Sequence, residues 1–252
     1  MSESLINANG LRKVYDEVVA LDHLDLEVNA GEIVGLLGPN GAGKTTALRM
    51  IASILTPSSG KASVCGYDTQ LDPLKVKQSI GFLSGDTSLY KRLTTREILR
   101  YFGRLHEMPK DEIEARVDNL VNDLDISSFA DRSCGKLSSG QQQRANIART
   151  LMHDPPALIL DEPTNTLDII SAKFIMDFIL KAKSDNKAIL FSTHTMDEAE
   201  FLCDRLILLY KGKVQAKGTL DELREMTGLK TLTEIFLQVI EQSDHPEKEQ
   251  VD

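Results

Sequence analysis

Nine consecutive residues, Gly38-Pro39-Asn40-Gly41-Ala42-Gly43-Lys44-Thr45-Thr46, constrain the fold of this 252-residue chain more than any other stretch. They fit G-x-x-x-x-G-K-[ST] from Gly38 to Thr45 and follow directly on the apolar run Ile33-Val34-Gly35-Leu36-Leu37. A strand, a tight glycine turn and a helix opening at Ala47-Leu48-Arg49-Met50-Ile51 is the setting a phosphate-binding loop requires. Glycines let backbone N–H groups turn inward on phosphates, and the helix N-terminus adds its positive end. Lys44 then reaches the β- and γ-phosphates, and Thr45 offers a hydroxyl to Mg2+. The competing reading is a glycine-rich turn that matches by chance, and the flanking strand and helix argue against it. The sequence predicts a nucleoside triphosphate site.

Around this loop the texture predicts an α/β fold. Leu5-Ile6-Asn7-Ala8 and the alternating Leu24-Asp25-Leu26-Glu27-Val28 read as strands, and Asn29-Ala30-Gly31 as a turn. From about 90 to 150 the pattern is helical. Thr94 with Glu97 has capping-box spacing ahead of Ile98, Leu99, Phe102 and Leu105, and 111–124 repeats the helical period. Strands return at Ala157–Leu160, Ala188–Phe191 and Leu206–Leu209, each apolar on both faces as a buried parallel sheet demands. Two further capping boxes, Thr219 with Glu222 and Thr231 with Glu234, open C-terminal helices. The second carries an apolar stripe, Leu232, Ile235, Phe236, Val239 and Ile240, which should pack on the core or on a partner subunit. The expected division is a core over about 1–83 and 151–218, a helical insertion over about 84–150, helices over about 219–242, and a disordered tail over 243–252.

Formal charge is −9, so a nucleic-acid footprint is not expected. Cys65, Cys134 and Cys203 are too widely spaced for a metal pattern and read as reduced thiols. No run approaches the ~20 apolar residues of a membrane span.

Two more stretches carry chemistry. Leu158-Ile159-Leu160-Asp161-Glu162 is an apolar strand ending in an aspartate, which can hold Mg2+ beside a phosphate loop. Glu162, next along, is then placed to polarise an attacking water. Leu137-Ser138-Ser139-Gly140-Gln141 has capping-box spacing from Ser138 to Gln141, and Gly140 permits close backbone approach, so a second helix N-terminus suited to an anion is expected. By itself that stretch is equally a plain helix cap.

The order and spacing of the phosphate loop, Ser138–Arg144, Asp161–Glu162, Asp168 and His194 resemble the ATP-binding-cassette (ABC) ATPases over nearly the whole chain. The resemblance implies a P-loop NTPase (RecA-like) core with a small N-terminal antiparallel β subdomain and an inserted α-helical subdomain, one ABC domain over 1–242. Gly38 to Thr46 falls at its Walker A loop, Leu137 to Gln141 at its signature, and Asp161 and Glu162 at Walker B and the catalytic glutamate. Asp168 falls at the D-loop, His194 at the switch histidine, and Tyr15 where an aromatic stacks on adenine. It implies ATP and Mg2+ as ligands, with Thr45 and Asp161 on the metal and Lys44, Glu162 and His194 in catalysis. In this family the signature, here Ser138, Ser139, Gly140 and Gln141, contacts the γ-phosphate held by the opposite subunit.

The expected partners are therefore a second copy of the same or a similar ATPase subunit and a separate integral membrane permease. The surface for the permease would be the stretch near 82–105. Leu89 to Glu97 is similar to the ABC-2 exporter branch, and Phe102-Gly103-Arg104-Leu105 to its sodium-extruding members. That places the chain in the cytoplasm, peripheral on the inner face of the cell membrane. The resemblance also admits a soluble ABC-type ATPase of a non-transport assembly, such as an iron–sulfur scaffold. A P-loop kinase of another family is a third option, against which the stretch at Ser138 argues. Two positions depart from the family pattern. Ser139 stands where Gly is usual, which requires φ < 0 there. Gly85 stands where the family has Gln or Glu, leaving the role to Asp86 or to water.

Overall fold

The N-terminal strands run well beyond the short stretches that alternate in the sequence. The computed structural model describes residues 4–85 and 88–244. Its first strands, β1 (Ser4–Tyr15) and β2 (Val18–Asn29), are 12 residues each and pair antiparallel. Register shifts at Ala8/Leu11, Leu11/Lys13 and Lys13/Val14 break the period of two. These irregularities are why the sequence reveals only fragments of both strands. After β3 (Ile33–Leu37) and α1 (Lys44–Ile51), β4 (Ser59–Val64) joins the free edge of β1, and β5 (Tyr67–Asp68) closes this antiparallel sector.

Next come α2 (Pro73–Ser79), β6 (Ile80–Leu83), and three helices: α3 (Thr95–Leu105), α4 (Lys110–Asp123) and α5 (Ser139–Thr150). Then β7 (Ala157–Asp161), α6 (Ile169–Ser184), β8 (Ala188–Thr193), α7 (Met196–Leu202), β9 (Arg205–Tyr210) and β10 (Lys213–Gly218) alternate. The sheet order is β5-β4-β1-β2-β10-β9-β3-β8-β7-β6. From β9 to β6 all pairs are parallel. Every residue of β3, β7 and β8 is buried, as strands covered on both faces require.

All four capping boxes read from the sequence form. Thr94, Ser138 and Thr219 each accept from the backbone N–H of the Glu or Gln three residues on, and the reciprocal bonds are made. Thr231 and Glu234 do the same. Each such cap contributes about 1 kcal/mol. α8 (Leu220–Thr227) and α9 (Leu232–Asp244) end the described chain. The stripe on α9 packs on the chain's own core, against Leu37, Leu206, Leu208 and Leu223. The proposed tail lies, apart from residues 243 and 244, outside the described residues.

One contact between α3 and the end of α5 carries a pH dependence. The rings of His106 and His153 stack at 3.7 Å with an interplanar angle of 5°. His153 Nε2 lies 3.0 Å from the Ile80 carbonyl, which fixes the proton there, while Nδ1 is buried with no hydrogen-bond partner. Burial first, then the His106 ring, lowers the His153 pKa to about 4, with Lys187 lowering and Asp154 raising it. Burial also lowers His106. An unfolded histidine takes its proton near 6.5, so between 6.5 and 4 the unfolded chain binds more protons than the folded one. Stability is full above about 6.5 and falls as pH drops toward 4. For a fully enclosed ring this would be worth about 3 kcal/mol; partial exposure leaves on the order of 2 kcal/mol. By pH 5 about three-fifths of this is lost, so the drop in melting temperature from pH 7.5 to 5 should be about 2–5 °C smaller in His153→Asn than in the parent. Equal drops would remove the stack from the account.

Candidate active site

The chemistry gathers where three neighbouring parallel strands end. In the order β3-β8-β7, Leu37 pairs with Thr193 and Asp161 with Ser192, so the three carboxyl ends are level. Beyond them lie the glycine loop, the Ser192-Thr193-His194 run, and Asp161-Glu162. The glycine loop and Asp161-Glu162 wall a cleft of about 830 Å3 whose lining also includes Ser84, Gly85, Ser139, Gln142 and Asn165, and Thr193 and His194 line an adjoining hollow that shares Glu162 and Asn165 with it. Ligands of open α/β sheets bind in just such a crevice.

The loop turns on Gly43, at φ 104 immediately before α1. A Cβ there would stand 2.6 Å from the Ala20 carbonyl oxygen, so both conformation and space demand glycine. Lys44, the first residue of α1, is only 4% exposed. Its ammonium donates to the carbonyls of Gly38 (2.7 Å) and Pro39 (3.2 Å) and pairs with Glu162 Oε1 at 3.1 Å. It is thereby held over the loop whose N–H groups would receive phosphates. Asn40, Gly41, Ala42, Thr45 and Thr46 line the same cleft.

Glu162 is the hub of the acidic side. Its Oε1 is also 3.3 Å from His194 Nδ1, and its Oε2 accepts from Asn165 Nδ2 at 3.2 Å. The backbone at Glu162 has φ 46, a left-handed conformation that costs a non-glycine residue about 1–2 kcal/mol. That conformation turns the side chain toward Lys44 and His194. Asp161 keeps to the strand, 5% exposed, and accepts from Ser192 Oγ at 2.6 Å.

The helix α5 begins beside the cleft. Ser138 is its exposed N-cap and stands outside the cleft lining; Ser139 is inside it. Ser139 is the first helical residue and is not among the positive-φ positions, so serine there meets the condition φ < 0. Gln141 completes the cap. Gly140 is close to a neighbour for a different reason from the expected one: its Cβ would lie 2.3 Å from Ser171 Oγ at the start of α6. Asp168 caps α6, accepting from Ser171 N (2.9 Å) and Oγ (2.8 Å), and these bonds hold its carboxyl below the usual range. The signature stretch and Asp168 thus form one packed junction.

Two expected positions stand apart. Tyr15 is half-exposed at the end of β1, with Lys13 Nζ 5.0 Å from its ring; its strand partner Val18 lines the cleft and Tyr15 does not. Gly85 borders the cleft, and Asp86 lies outside the described residues. Sequence reasoning missed Ser192, Asn165 and Gln143, which donates to the Pro163 carbonyl. The only signal for Ser192 was a hydroxyl at the end of an otherwise apolar strand.

The family model described as ABC transporter matches residues 21–165. The ABC transporter ATP-binding protein NatA of Bacillus subtilis is 45% identical over 87% of this chain and 90% of its own length. The Nod factor export ATP-binding protein I of Cupriavidus metallidurans is 38% identical, over 87% of this chain and 73% of its own. A solved dimeric ATP-binding cassette in a post-hydrolysis state, bound to ADP and Pi, superposes with a TM-score of 0.78 at 28% identity, covering 86% of this chain and 99% of that one. The chain belongs to the ABC transporter family. It is an ABC ATPase subunit that binds ATP with Mg2+ and hydrolyses it.

The residues present fit an ABC nucleotide site. Gly38 and Gly43 keep the loop free of a Cβ where backbone approaches it, at 2.2 Å from the Leu209 carbonyl oxygen and 2.6 Å from that of Ala20, and Lys44 is buried with its ammonium on the Gly38 and Pro39 carbonyls. Thr45 and Asp161, an all-oxygen donor set of the kind Mg2+ takes, line one cleft. Among the described residues no group of three or more His, Cys, Asp or Glu could hold a metal ion. No described helix is long and apolar enough to cross a membrane.

Proposed function

We propose that this ATPase works as a head-to-tail pair of subunits that drives a separate membrane permease, in the direction of export. The observation that carries the pairing is the position of Ser138. Ser138 and Ser139 are both solvent-exposed at the start of α5, and Ser138 stands outside the lining of the cleft that holds Lys44, so this helix end is open to a phosphate on a second molecule. The likeness to a dimeric cassette with ADP and Pi supports the same arrangement, and a relative named for export supports the direction.

Within each site, Gly38 to Thr46 wrap the phosphates and Lys44 exchanges Glu162 for a phosphate oxygen. Thr45 and Asp161 hold Mg2+, which when bound neutralises charge building on the phosphoryl oxygens. Glu162, released from Lys44, orients and polarises the attacking water, and His194 steadies its carboxylate from the other side. Ser138, Ser139, Gly140 and Gln141 of the partner approach the γ-phosphate, with Asp168 setting the junction behind them. Tyr15 does not line the cleft, and it would meet adenine only where the base extends past Tyr15's strand partner Val18. This amounts to positioning plus charge stabilisation, the two largest sources of rate in phosphoryl transfer.

The permease would sit on the face near residues 82–105, where Tyr90, Tyr101 and Leu105 are 60%, 46% and 61% exposed. Such a cluster of exposed apolar side chains favours a protein partner. On this reading the chain is peripheral to the inner face of the cell membrane. The double variant Tyr101→Asp with Leu105→Asp tests it. In native-host membranes it should be lost from the pellet severalfold relative to the parent, while the purified variant's ATPase stays within about twofold. Equal sedimentation of both proteins would refute this docking face.

A further inference from the structure

Both acidic residues of the site meet at one buried side chain, Ser192. Ser192 is fully buried at the end of β8. Its Oγ donates to Asp161 Oδ1 at 2.6 Å, and the same oxygen accepts from the Glu162 N–H at 3.0 Å. The parallel register dictates this meeting. Asp161 and Ser192 are direct strand partners. They stand two residues beyond Ile159 and Leu190, which pack in one cluster with Ala47, Leu48 and Ile51 of α1. With side chains alternating along a strand, both polar groups emerge on the face that bears the phosphate-loop helix.

We propose that Ser192 is a positioning residue for ATP hydrolysis, whose single hydroxyl orients the Asp161 carboxylate toward the metal and pins the backbone turn that presents Glu162 to the water. The proposal rests on the roles given above to Asp161 and Glu162. Its physical basis is the division of labour within one group. The hydroxyl's only proton goes to Asp161, which fixes which carboxylate oxygen stays free for a cation. A lone pair on the same oxygen takes the Glu162 N–H, which the Ser192 carbonyl also receives at 3.1 Å. Glu162 adopts a left-handed backbone, and such a conformation persists only where its surroundings over-determine it. A group that orients a metal-binding carboxylate through a hydrogen bond typically matters 10- to 100-fold in metal affinity or activity.

Ser192→Ala and Ser192→Cys form the test. Alanine removes the hydroxyl; cysteine keeps a similar shape but offers only a weak donor. Fluorescent-nucleotide affinity is measured with and without Mg2+, alongside kcat, KM and melting temperature. Both variants should bind nucleotide like the parent without Mg2+, and lose about tenfold of the affinity that Mg2+ adds. Their kcat should fall about tenfold or more, with KM for Mg-ATP rising less. A Ser192→Cys protein with parental kcat and parental Mg2+ gain would show that Ser192 only fills space, and would overturn the proposal. So would a Ser192→Ala protein within twofold of the parent in both readouts. If alanine at this buried position fails to fold, the cysteine variant decides alone. Asp161→Asn and Glu162→Gln run in parallel separate the two levels. If they too hydrolyse ATP like the parent, the assigned roles fail; if they are inactive while the Ser192 variants are not, only the positioning role fails.

Discussion

Glu162→Gln is expected to lower ATP turnover at least ~10²-fold while leaving nucleotide affinity within a few-fold of the parent. The amide has the size of the carboxylate and can still accept from Asn165, so the turn around residue 162 should hold. It cannot act as a base, and it no longer attracts the Lys44 ammonium now 3.1 Å away. Lys44 keeps its bonds to the Gly38 and Pro39 carbonyls and becomes easier to recruit to a phosphate, so binding should not suffer. Steady-state phosphate release, measured beside fluorescent-nucleotide binding, checks both halves. A variant that turns over ATP like the parent would remove Glu162 from the chemistry.

Ser138→Arg is expected to abolish hydrolysis to a similar degree by another route. The serine caps α5 through its bond from the Gln141 N–H, and its loss costs about 1 kcal/mol, or about 2–4 °C in melting temperature. The larger effect is steric and electrostatic, because a long cation fills the helix end meant for the partner's γ-phosphate. Ser138 does not line the cleft of its own chain, so ATP binding should persist with parental affinity. Loss of binding together with hydrolysis would place the signature in the same site as Lys44 and break the paired arrangement.

The sequence made much of this site legible because its parts are short interruptions of strong patterns. A glycine run between an apolar strand and a helix, and two acids closing an apolar strand, stand out without any tertiary knowledge. The four capping boxes were equally readable, since Ser or Thr followed three residues later by Glu or Gln has a purely local cause. What stayed hidden depended on register. Ser192 looks like any strand-end serine until the parallel pairing sets it opposite Asp161, 31 residues earlier in the chain. Gly140 could be seen to need space, but not that Ser171 fills it. Bulges concealed the length of β1 and β2, because each register shift resets which residues face inward. The left-handed backbone of Glu162 had no signal either, as nothing local favours it in glutamate.

The most direct test of the paired, ATP-hydrolysing arrangement is the mass of the Glu162→Gln protein by light scattering, with and without ATP and Mg2+. Without nucleotide it should run as the monomer of 27.9 kDa. With ATP and Mg2+ its mass should double, with one ATP retained per chain, and adding Ser138→Arg should return it to monomer with ATP still bound. A protein that retains ATP yet stays monomeric at every concentration up to ~100 times the nucleotide's Kd would contradict the account.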